Sequence, residues 1–328
     1  MNVFVTGGAG YVGSVVVDLL IRRGHTVTVY DNLERGHAEA VHPAATLIVG
    51  DLRDKEAVIK AVAHSQPDAI IHFAAYAYVG ESMQDPLKYF ENNVTGSLNL
   101  IGAAKDAGVP KFVFSSSCAT YGIPPALPIT EETPQAPVNP YGESKLIVER
   151  LLNWVRCIHG MNVVVLRYFN ACGAAGDLGE DHFPEPHIIP LVLRAAADGS
   201  QVFKIYGDQY ETEDGTCVRD YVHVKDLAQA HLLALNSGLS ATLNLGSGRG
   251  FSIRDVLAAA KAVTGRTIAA QVAEARPGDP PVLIADNKKA LSVLGWVPQH
   301  GDLTEIIKDA WVWFVQNPGG YSNNSRIK

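Results

Sequence analysis

The chain has 328 residues, 47% of them hydrophobic and 19% charged, a composition ordinary for a globular protein large enough for two domains. Its formal net charge of −7, without a basic run, argues against nucleic acid as a partner. A strand is predicted from residue 2, which leaves no room for a signal peptide, and no apolar run is long enough to span a bilayer. The four cysteines lie far apart. We therefore expect a cytoplasmic protein with reduced thiols and no membrane partner.

A glycine-rich turn follows the first predicted strand. Gly7, Gly10 and Gly13 have the spacing Gly-x-x-Gly-x-x-Gly, and residues 14–23 then have the pattern of a helix that ends before Gly24. Such glycines let the backbone turn sharply and approach a pyrophosphate, and the helix N-terminus directs free N–H groups at the phosphates. The turn predicts a dinucleotide site; an ordinary strand–turn–helix without a ligand is the alternative.

The second predicted strand, residues 25–30, ends in the acidic residue Asp31. A carboxylate at this place accepts hydrogen bonds from the adenosine ribose diol of NAD and repels the 2′-phosphate of NADP. The sequence therefore predicts NAD as the cofactor.

Apolar strands alternate with helices through the first half of the chain. The later predicted strands are 46–49, 69–73, 111–114 and 162–167, and the predicted helices are 54–63, 87–107 and 141–159. This alternation predicts a doubly wound α/β fold with a parallel sheet that is covered on both faces. Ligands of such folds lie beyond the carboxyl ends of the strands.

The regular alternation ends after Asn170. Residues 173–190 form a loop rich in Gly, Pro and acidic residues, and predicted helices follow at 188–197, 224–235, 252–263 and 303–314. We expect residues 1–172 to form the NAD-binding domain and residues 173–328 a smaller α/β lobe. Residues 218–248 are expected to return to the first sheet.

Tyr141 and Lys145 lie four residues apart on the predicted helix 141–159 and therefore share one face of it. A free tyrosine has a pKa of about 10, and a nearby ammonium group would stabilise its phenolate. A hydroxyl-rich segment that includes Ser115 and Ser117 follows the strand 111–114. Together these groups predict proton transfer at a hydroxyl. A packed tyrosine with a solvated lysine is the alternative.

The sequence resembles the extended short-chain dehydrogenase/reductase family and, within it, the UDP-glucose 4-epimerases. The resemblance covers nearly the whole chain. Besides the glycine turn, it rests on Asp31-Asn32-Leu33, Gly50-Asp51-Leu52-Arg53, Ile71-His72-Phe73-Ala74-Ala75, Val79-Gly80-Glu81-Ser82, Asn92-Asn93-Val94, Tyr141 to Lys145, Leu166 to Asn170, Glu213 to Thr216, Val218 to Tyr221 and His223 to Asp226.

The resemblance implies an epimerase that retains NAD as a catalyst. Tyr141 would remove the proton of the sugar 4-hydroxyl, Ser117 would hydrogen-bond the 4-oxygen, and Lys145 would hold the nicotinamide ribose and tune Tyr141. The cofactor-binding set that it implies is Gly7, Gly10, Tyr11, Val12, Gly13, Asp31, Asn32, Asp51, Leu52, Phe73, Ala74, Ala75, Asn92, Ser115, Tyr141, Lys145 and Tyr168.

A UDP-sugar is the substrate that the resemblance implies. Besides Ser117 and Tyr141, the substrate-binding set is Asn170, His187, Tyr206, Arg219, Arg276 and Asp279. Arginine suits a diphosphate because its guanidinium is planar, charged and bidentate. Tyr206 would stack on uracil, and Asp279 would accept ribose hydroxyls. The resemblance also implies a homodimer formed through the helices 87–107 and 141–159.

Three positions depart from the pattern of the family. Ala77 stands where some epimerases have a lysine near the cofactor phosphates. Leu283 stands where relatives have either a bulky Tyr or a small Cys, so acceptance of N-acetylated sugars is open. His187 replaces an Asn of some relatives.

A metal site is not expected. The residues Asp181, His182, Glu185 and His187 could suggest one, but amid prolines and without helical spacing we expect a solvated loop.

Other functions remain as alternatives. Related dehydratases and decarboxylases need a carboxylate beside the serine position, where this chain has Cys118 and Ala119, so both are disfavoured. A 4-epimerase for a UDP-N-acetylhexosamine, a UDP-pentose or a UDP-uronate would use the same residues. A non-catalytic NAD-binding regulator would not need Ser117, Tyr141 and Lys145 together.

Overall fold

The computed structural model describes residues 1–276 and 278–321. Its main element is a parallel sheet of seven strands in the order β10-β6-β5-β4-β1-β2-β3. These strands are β1 Asn2–Thr6, β2 Thr26–Asp31, β3 Thr46–Val49, β4 Ala69–His72, β5 Lys111–Ser117, β6 Asn162–Tyr168 and β10 Ala241–Leu245. The doubly wound fold predicted from the alternating pattern is confirmed.

Both faces of this sheet are buried, as its apolar strands require. Val3 and Val5 of β1 point into one apolar cluster, and Phe4 between them points into the other. The helices around the sheet are α1 Tyr11–Arg22, α2 Lys55–Ser65, α3 Val79–Gln84, α4 Pro86–Tyr89, α5 Gly96–Asp106, α6 Pro140–His159, α8 Val224–Ser237 and α10 Lys288–Leu294.

The helix predicted at 87–107 differs in detail from the one observed. A π-helical turn, Phe90–Thr95, joins α4 to α5. Within it the buried Asn93 accepts a hydrogen bond from the N–H of Tyr76 and donates to the Tyr76 carbonyl and the Ser144 hydroxyl. The extra residue of the π turn thus places an amide that ties this helix to the β4–α3 loop and to α6.

A second lobe is built on two smaller sheets. The strands β7 Asn170–Cys172, β11 Gly250–Ser252 and β13 Val282–Leu283 all pair with β9 Val218–His223, while β8 Phe203–Tyr206 pairs with β12 Ala270–Ala273. The helices α7 Ile188–Ala197, α9 Ile253–Thr264 and α11 Leu303–Gln316 enclose the core of this lobe. Between β9 and β11 the chain crosses to the large sheet, where β10 pairs with β6.

Within residues 1–276 and 278–321, no helix combines the length and the apolar character that a membrane crossing needs.

Candidate cofactor and substrate site

The glycine motif at the end of β1 and the start of α1 has backbone contacts that exclude a side chain at two of its three spaced glycines, Gly7, Gly10 and Gly13. Gly7 has a φ of +72°, and a Cβ there would lie 2.5 Å from the Ala74 nitrogen. At Gly13 a Cβ would lie 2.2 Å from the Gly7 carbonyl oxygen, whereas at Gly10 the same oxygen would be 3.4 Å away, an ordinary contact. Close packing therefore requires Gly7 and Gly13, and the open face of the turn lies at Gly10.

The α1 N-terminus is suited to an anion. Its N-cap residue is Gly10, which has no side chain to occupy the free N–H groups of the first turn, including those of Tyr11 and Val12. The observed helix begins at Tyr11, three residues before the predicted start, because the last residues of the glycine motif already have helical backbone.

Asp31, at the end of β2, fits the ribose end of a dinucleotide. Its buried carboxylate accepts hydrogen bonds from the N–H groups of Ala9 at 3.0 Å and Leu33 at 2.9 Å. Burial raises its pKa, and these two bonds oppose the shift. A carboxylate has about four acceptor positions, so two remain for a diol.

Asp51 forms the neighbouring edge at the end of β3. The Arg53 guanidinium donates to both Asp51 oxygens, at 2.9 and 2.6 Å, and holds the pKa of this carboxyl well below its usual range. Asn32 donates to Asp51 at 3.0 Å, and Leu52 is buried. Four residues of the predicted cofactor-binding set, Asp31, Asn32, Asp51 and Leu52, thus lie together.

The other predicted cofactor residues lie after β4, near the ends of β5 and β6, and on the π turn. The N–H groups of Phe73 and Ala74 donate to the Thr6 carbonyl, which places Phe73, Ala74 and Ala75 beside the glycine turn. The Tyr168 hydroxyl hydrogen-bonds Nε2 of His231. Asn92, on the π turn, donates to Asn93.

Tyr141, Lys145 and Ser117 are brought together by the start of α6. Asn139 caps the helix by accepting a hydrogen bond from the Gly142 N–H at 2.8 Å. A Cβ at Gly142 would lie 2.4 Å from the Ala119 carbonyl oxygen, so α6 packs directly on the turn after Ser117. The Lys145 Nζ lies 5.9 Å from the centre of the Tyr141 ring and donates to the Ser115 carbonyl at 2.8 Å.

Burial opposes the charged forms of the Tyr141 hydroxyl and the Lys145 amine. It raises the pKa of Tyr141 to about 12, against an opposing interaction with the Ser117 hydroxyl. It lowers the pKa of Lys145 to about 7, against the opposing carboxylate of Glu149 one turn along α6. An ammonium group has three donors, and the single bond from Lys145 to Ser115 leaves two for a cofactor ribose.

Most of the predicted substrate residues gather on the second lobe. Arg219 of β9 lies opposite Leu283 of β13, and its Nη2 contacts Oδ1 of Asp279 at 2.5 Å. Asn170 of β7 donates to the carbonyl of Asp220 at 3.0 Å. Leu283 packs on an apolar cluster that also contacts Cys118, the residue after Ser117. These contacts connect the substrate residues to the end of β5.

Tyr206 and Arg276 form a separate pair. The Arg276 guanidinium lies 4.1 Å from the centre of the Tyr206 ring, so the two residues predicted for uracil and diphosphate contact each other.

The loop from Glu180 to His187 was expected to be solvated, but the side chains of Glu180, His182 and Glu185 are mostly buried. Nδ1 of His187 lies 2.8 Å from a carboxylate oxygen of Glu180 and of Glu185, and His182 packs beside them. Burial lowers the pKa of His187, but these two carboxylates outweigh it and raise the pKa to about 10. Glu180, and not Asp181, belongs to this group; the Asp181 carbonyl instead contacts Nε2 of His37 at 3.0 Å.

Ala77 stands where some epimerases have a lysine, and a different cationic residue, Arg35, lies near this stretch of the chain. Ala77 is exposed, and the Arg35 guanidinium lies 4.9 Å from the centre of the adjacent Tyr78 ring.

The sequence pattern of the family described as "NAD dependent epimerase/dehydratase family" matches residues 3–246. The chain belongs to this epimerase/dehydratase family. It is 51% identical to a UDP-glucose 4-epimerase of Streptococcus mutans, with 98% of this chain and 99% of that protein covered. The resemblance to UDP-glucose 4-epimerases is confirmed.

Two solved structures of UDP-glucose 4-epimerases have the same fold as this member of the epimerase/dehydratase family. The Brucella ovis enzyme in complex with NAD is 46% identical with a TM-score of 0.91, covering 95% of this chain and 98% of that one. The Bifidobacterium longum enzyme in complex with NAD⁺ and UDP is 36% identical with a TM-score of 0.93, covering 98% and 100%.

A buried ion pair behind the site of this epimerase-family chain was not predicted. Glu149 of α6 accepts two hydrogen bonds from Arg167 of β6, at 3.0 and 2.6 Å, and another from the Ser116 hydroxyl. Arg167 also donates to the Tyr121 hydroxyl at 2.7 Å. Because Ser116 precedes Ser117 and Glu149 lies one turn after Lys145, this network fixes the strand and helix that present the reacting groups. The Leu166 to Asn170 motif contains Arg167, but no local pattern identifies its partner.

Proposed function

We propose that the chain catalyses the NAD-dependent, reversible 4-epimerisation of UDP-glucose and UDP-galactose through a transient 4-keto sugar. The observation that carries the proposal is that Tyr141 interacts with Ser117 at the carboxyl end of β5 and has the Lys145 Nζ 5.9 Å from its ring centre. The identity of 51% to the Streptococcus mutans enzyme over nearly the whole chain supports the same reaction.

Each of the three side chains has a distinct task. Tyr141 takes the proton of the sugar 4-hydroxyl and returns it, Ser117 hydrogen-bonds the 4-oxygen, and Lys145 holds the nicotinamide ribose. When bound, NAD supplies the hydride acceptor and donor and a positive ring charge. Because burial raises the pKa of Tyr141 to about 12, its phenolate needs positive charge nearby, and Lys145 is the cation on the same helix face.

The proposed cofactor contacts follow the edge of the large sheet. The glycine turn and the α1 N-terminus hold the pyrophosphate, and Asp31 and Asn32 hold the adenosine ribose. Asp51 and Leu52 contact adenine. Asn92, Ser115 and Tyr168 contact the nicotinamide half.

Inversion at carbon 4 requires that the sugar turn over while its nucleotide stays in place. We assign that anchor to Asn170, Tyr206, Arg219, Arg276 and Asp279, all on the second lobe or at its border. His187 stays a weaker candidate because its Nδ1 is occupied by two carboxylates. This arrangement holds the uridine diphosphate on one lobe and leaves the hexose facing the other.

The proposed organisation of the chain follows from these tasks. Residues 1–172 bind NAD together with a return of the chain to the large sheet, which we narrow from 218–248 to 224–245 because β9 pairs within the second lobe; the rest of residues 173–328 bind the UDP-sugar. We further propose a cytoplasmic homodimer. The exposed apolar side chains of Leu98 on α5 and of Trp154 and Ile158 on α6 support a partner surface on these two helices.

An NMR time course on the purified chain tests the proposed reaction. UDP-galactose, UDP-N-acetylgalactosamine and UDP-arabinose are supplied in parallel, first without added NAD and then with it. Conversion of UDP-galactose to an equilibrium mixture without added NAD is expected for a retained cofactor. The UDP-N-acetylgalactosamine sample measures how much room Leu283 leaves beside Arg219.

UDP-galactose that stays unchanged after NAD is supplied would contradict the assignment of substrate. If another UDP-sugar is converted instead, that sugar is the substrate. If none of the three UDP-sugars reacts, the result favours a non-catalytic NAD-binding protein.

A further inference from the structure

Four potential metal ligands meet in the loop between β7 and α7. They are Glu180, His182, Glu185 and His187, whose side-chain ligand atoms all lie within 4.8 Å of one another. Nδ1 of His187 is 2.8 Å from Oε1 of Glu180 and 2.8 Å from Oε1 of Glu185. Nδ1 of His182 is 3.3 Å from Oε1 of Glu180. The loop therefore presents two imidazoles and two carboxylates toward one centre.

Oε2 of Glu185, whose side chain is fully buried, has no hydrogen-bond partner among the described residues. Nδ1 of His182 makes no well-aligned hydrogen bond either, although it approaches Oε1 of Glu180 at 3.3 Å. Oε2 of Glu185 and Nδ1 of His182 face each other at 3.8 Å, too far for a hydrogen bond. Oε1 of Glu185 already accepts the backbone N–H of His187 at 2.9 Å, which fixes the carboxylate with Oε2 turned inward. A buried polar atom without a partner is costly, so this arrangement indicates a ligand.

We propose that these four side chains bind one divalent transition-metal ion of the Zn²⁺ type. Zinc takes imidazole nitrogen and carboxylate oxygen at about 2.0–2.2 Å in a tetrahedron, which requires ligand atoms to lie about 3.3 Å apart. Nδ1 of His187 lies 2.8 Å from Oε1 of Glu180, and Nδ1 of His182 lies 3.3 Å from the same oxygen and 3.8 Å from Oε2 of Glu185, so these separations lie on both sides of that value. Two carboxylates also neutralise the two charges of the ion.

The site is closed, which indicates a structural role. Four protein ligands complete the tetrahedron, whereas catalytic zinc keeps one position open for water or substrate. Aromatic rings pack against the two histidines: Tyr78 meets the His182 and His187 rings edge-on at 5.7 and 5.9 Å, and Tyr11 meets His182 at 6.4 Å. Since Tyr11 opens α1 and Tyr78 precedes α3, the metal fixes the 180–187 loop of the second lobe against the cofactor-binding lobe.

Metal counting on the full-length, untagged chain tests this site. The protein is stripped with a chelator, titrated with Zn²⁺, desalted and measured by inductively coupled plasma mass spectrometry. We expect about one Zn²⁺ per chain in the wild type and an affinity at least about 100-fold weaker in His182→Gln and in Glu185→Gln. A chain carrying Cys157→Ser and His159→Gln, two exposed residues of α6 that could bind zinc adventitiously, serves as the control and is expected to bind like wild type.

Co²⁺ gives a second readout that does not depend on the variants folding. Tetrahedral Co²⁺ absorbs visible light far more strongly than the hydrated ion, so the stripped wild-type chain should become coloured at one equivalent. Less than about 0.1 Zn²⁺ per chain, full binding by both His182→Gln and Glu185→Gln, or loss of binding only in the α6 control would overturn the proposal. The four side chains would then form an imidazole–carboxylate cluster that shares protons.

Discussion

The Lys145 Nζ lies 5.9 Å from the centre of the Tyr141 ring, and Tyr141 precedes Lys145 by one turn of α6. Burial opposes the charged form of each side chain. A buried lysine is destabilising while it is charged, and the fold accepts that penalty at the place where we propose that the chemistry occurs. The penalty is measurable in the protein without substrate.

Replacing Lys145 with Met should stabilise the fold at low pH. The pKa of Lys145 falls from 10.5 to about 7 on folding, so between these values the unfolded chain holds more protons and stability rises with pH. Below pH 7 the wild type carries the whole penalty, and Met removes it while losing the hydrogen bond to Ser115. We expect a net gain of about 2 kcal/mol at pH 6.

Urea unfolding of both proteins from pH 6 to 10 measures this difference, which should shrink steadily above pH 7. A variant that is destabilised equally at every pH would show that folding does not lower the pKa of Lys145.

Replacing Tyr141 with Phe should lower the epimerisation rate by about 10²- to 10⁴-fold, the usual contribution of a general acid–base group. NAD content and UDP binding should change little, because only a hydroxyl is removed. Tyr221→Phe is the matched control, since the buried Tyr221 hydroxyl has no hydrogen-bond partner among the described residues. Rates come from the NMR assay and binding from calorimetry. Wild-type turnover in Tyr141→Phe would exclude Tyr141 as the base.

Two Gly→Ala variants in the glycine motif, with a third on α5 as a control, separate the role of the motif in folding from its role in NAD binding. Gly13→Ala should destabilise the fold by about 3 kcal/mol or more, because its Cβ would lie 2.2 Å from the Gly7 carbonyl oxygen. Gly10→Ala should fold but lose NAD, since its Cβ meets only an ordinary contact in the protein and projects where the pyrophosphate is proposed to bind.

Gly102→Ala on α5, which meets nothing within 4 Å, should gain up to about 1 kcal/mol from helix propensity. Thermal unfolding and NAD content of the purified proteins distinguish the three. Full NAD retention by Gly10→Ala would place the pyrophosphate elsewhere.

The large sheet could be predicted because its strands are nearly continuous apolar runs, and the predicted strand 46–49 has the observed bounds Thr46–Val49. The π turn could not, because apolar periodicity does not reveal one extra residue. Its physical reason is the amide of Asn93, whose partners Tyr76 and Ser144 lie far away in sequence.

The residues of the candidate site also fall into two groups, those that the sequence could predict and those that it could not. Tyr141, Lys145 and the glycine turn have local spacing that the sequence displays directly. Glu149 and Arg167 become partners only when α6 packs on β6, and Gly142 matters only because α6 meets the Ala119 carbonyl. The expectation of a solvated loop at 181–187 was wrong for Glu185, whose side chain is buried beside His187, and for His182, whose ring packs against Tyr11 and Tyr78 from distant parts of the sequence.

The proposed homodimer predicts where a charge will separate the subunits. Trp154 and Ile158 lie four residues apart on α6 with exposed fractions of 65% and 67%, so they form one apolar surface. Replacing both with Glu should convert a dimer to a monomer at micromolar concentration, because an interface would have to bury the two charges. Val312→Glu with Val315→Glu on α11, also exposed, is the matched control and should remain dimeric. Sedimentation velocity measures the masses, and a monomeric wild type would exclude the dimer.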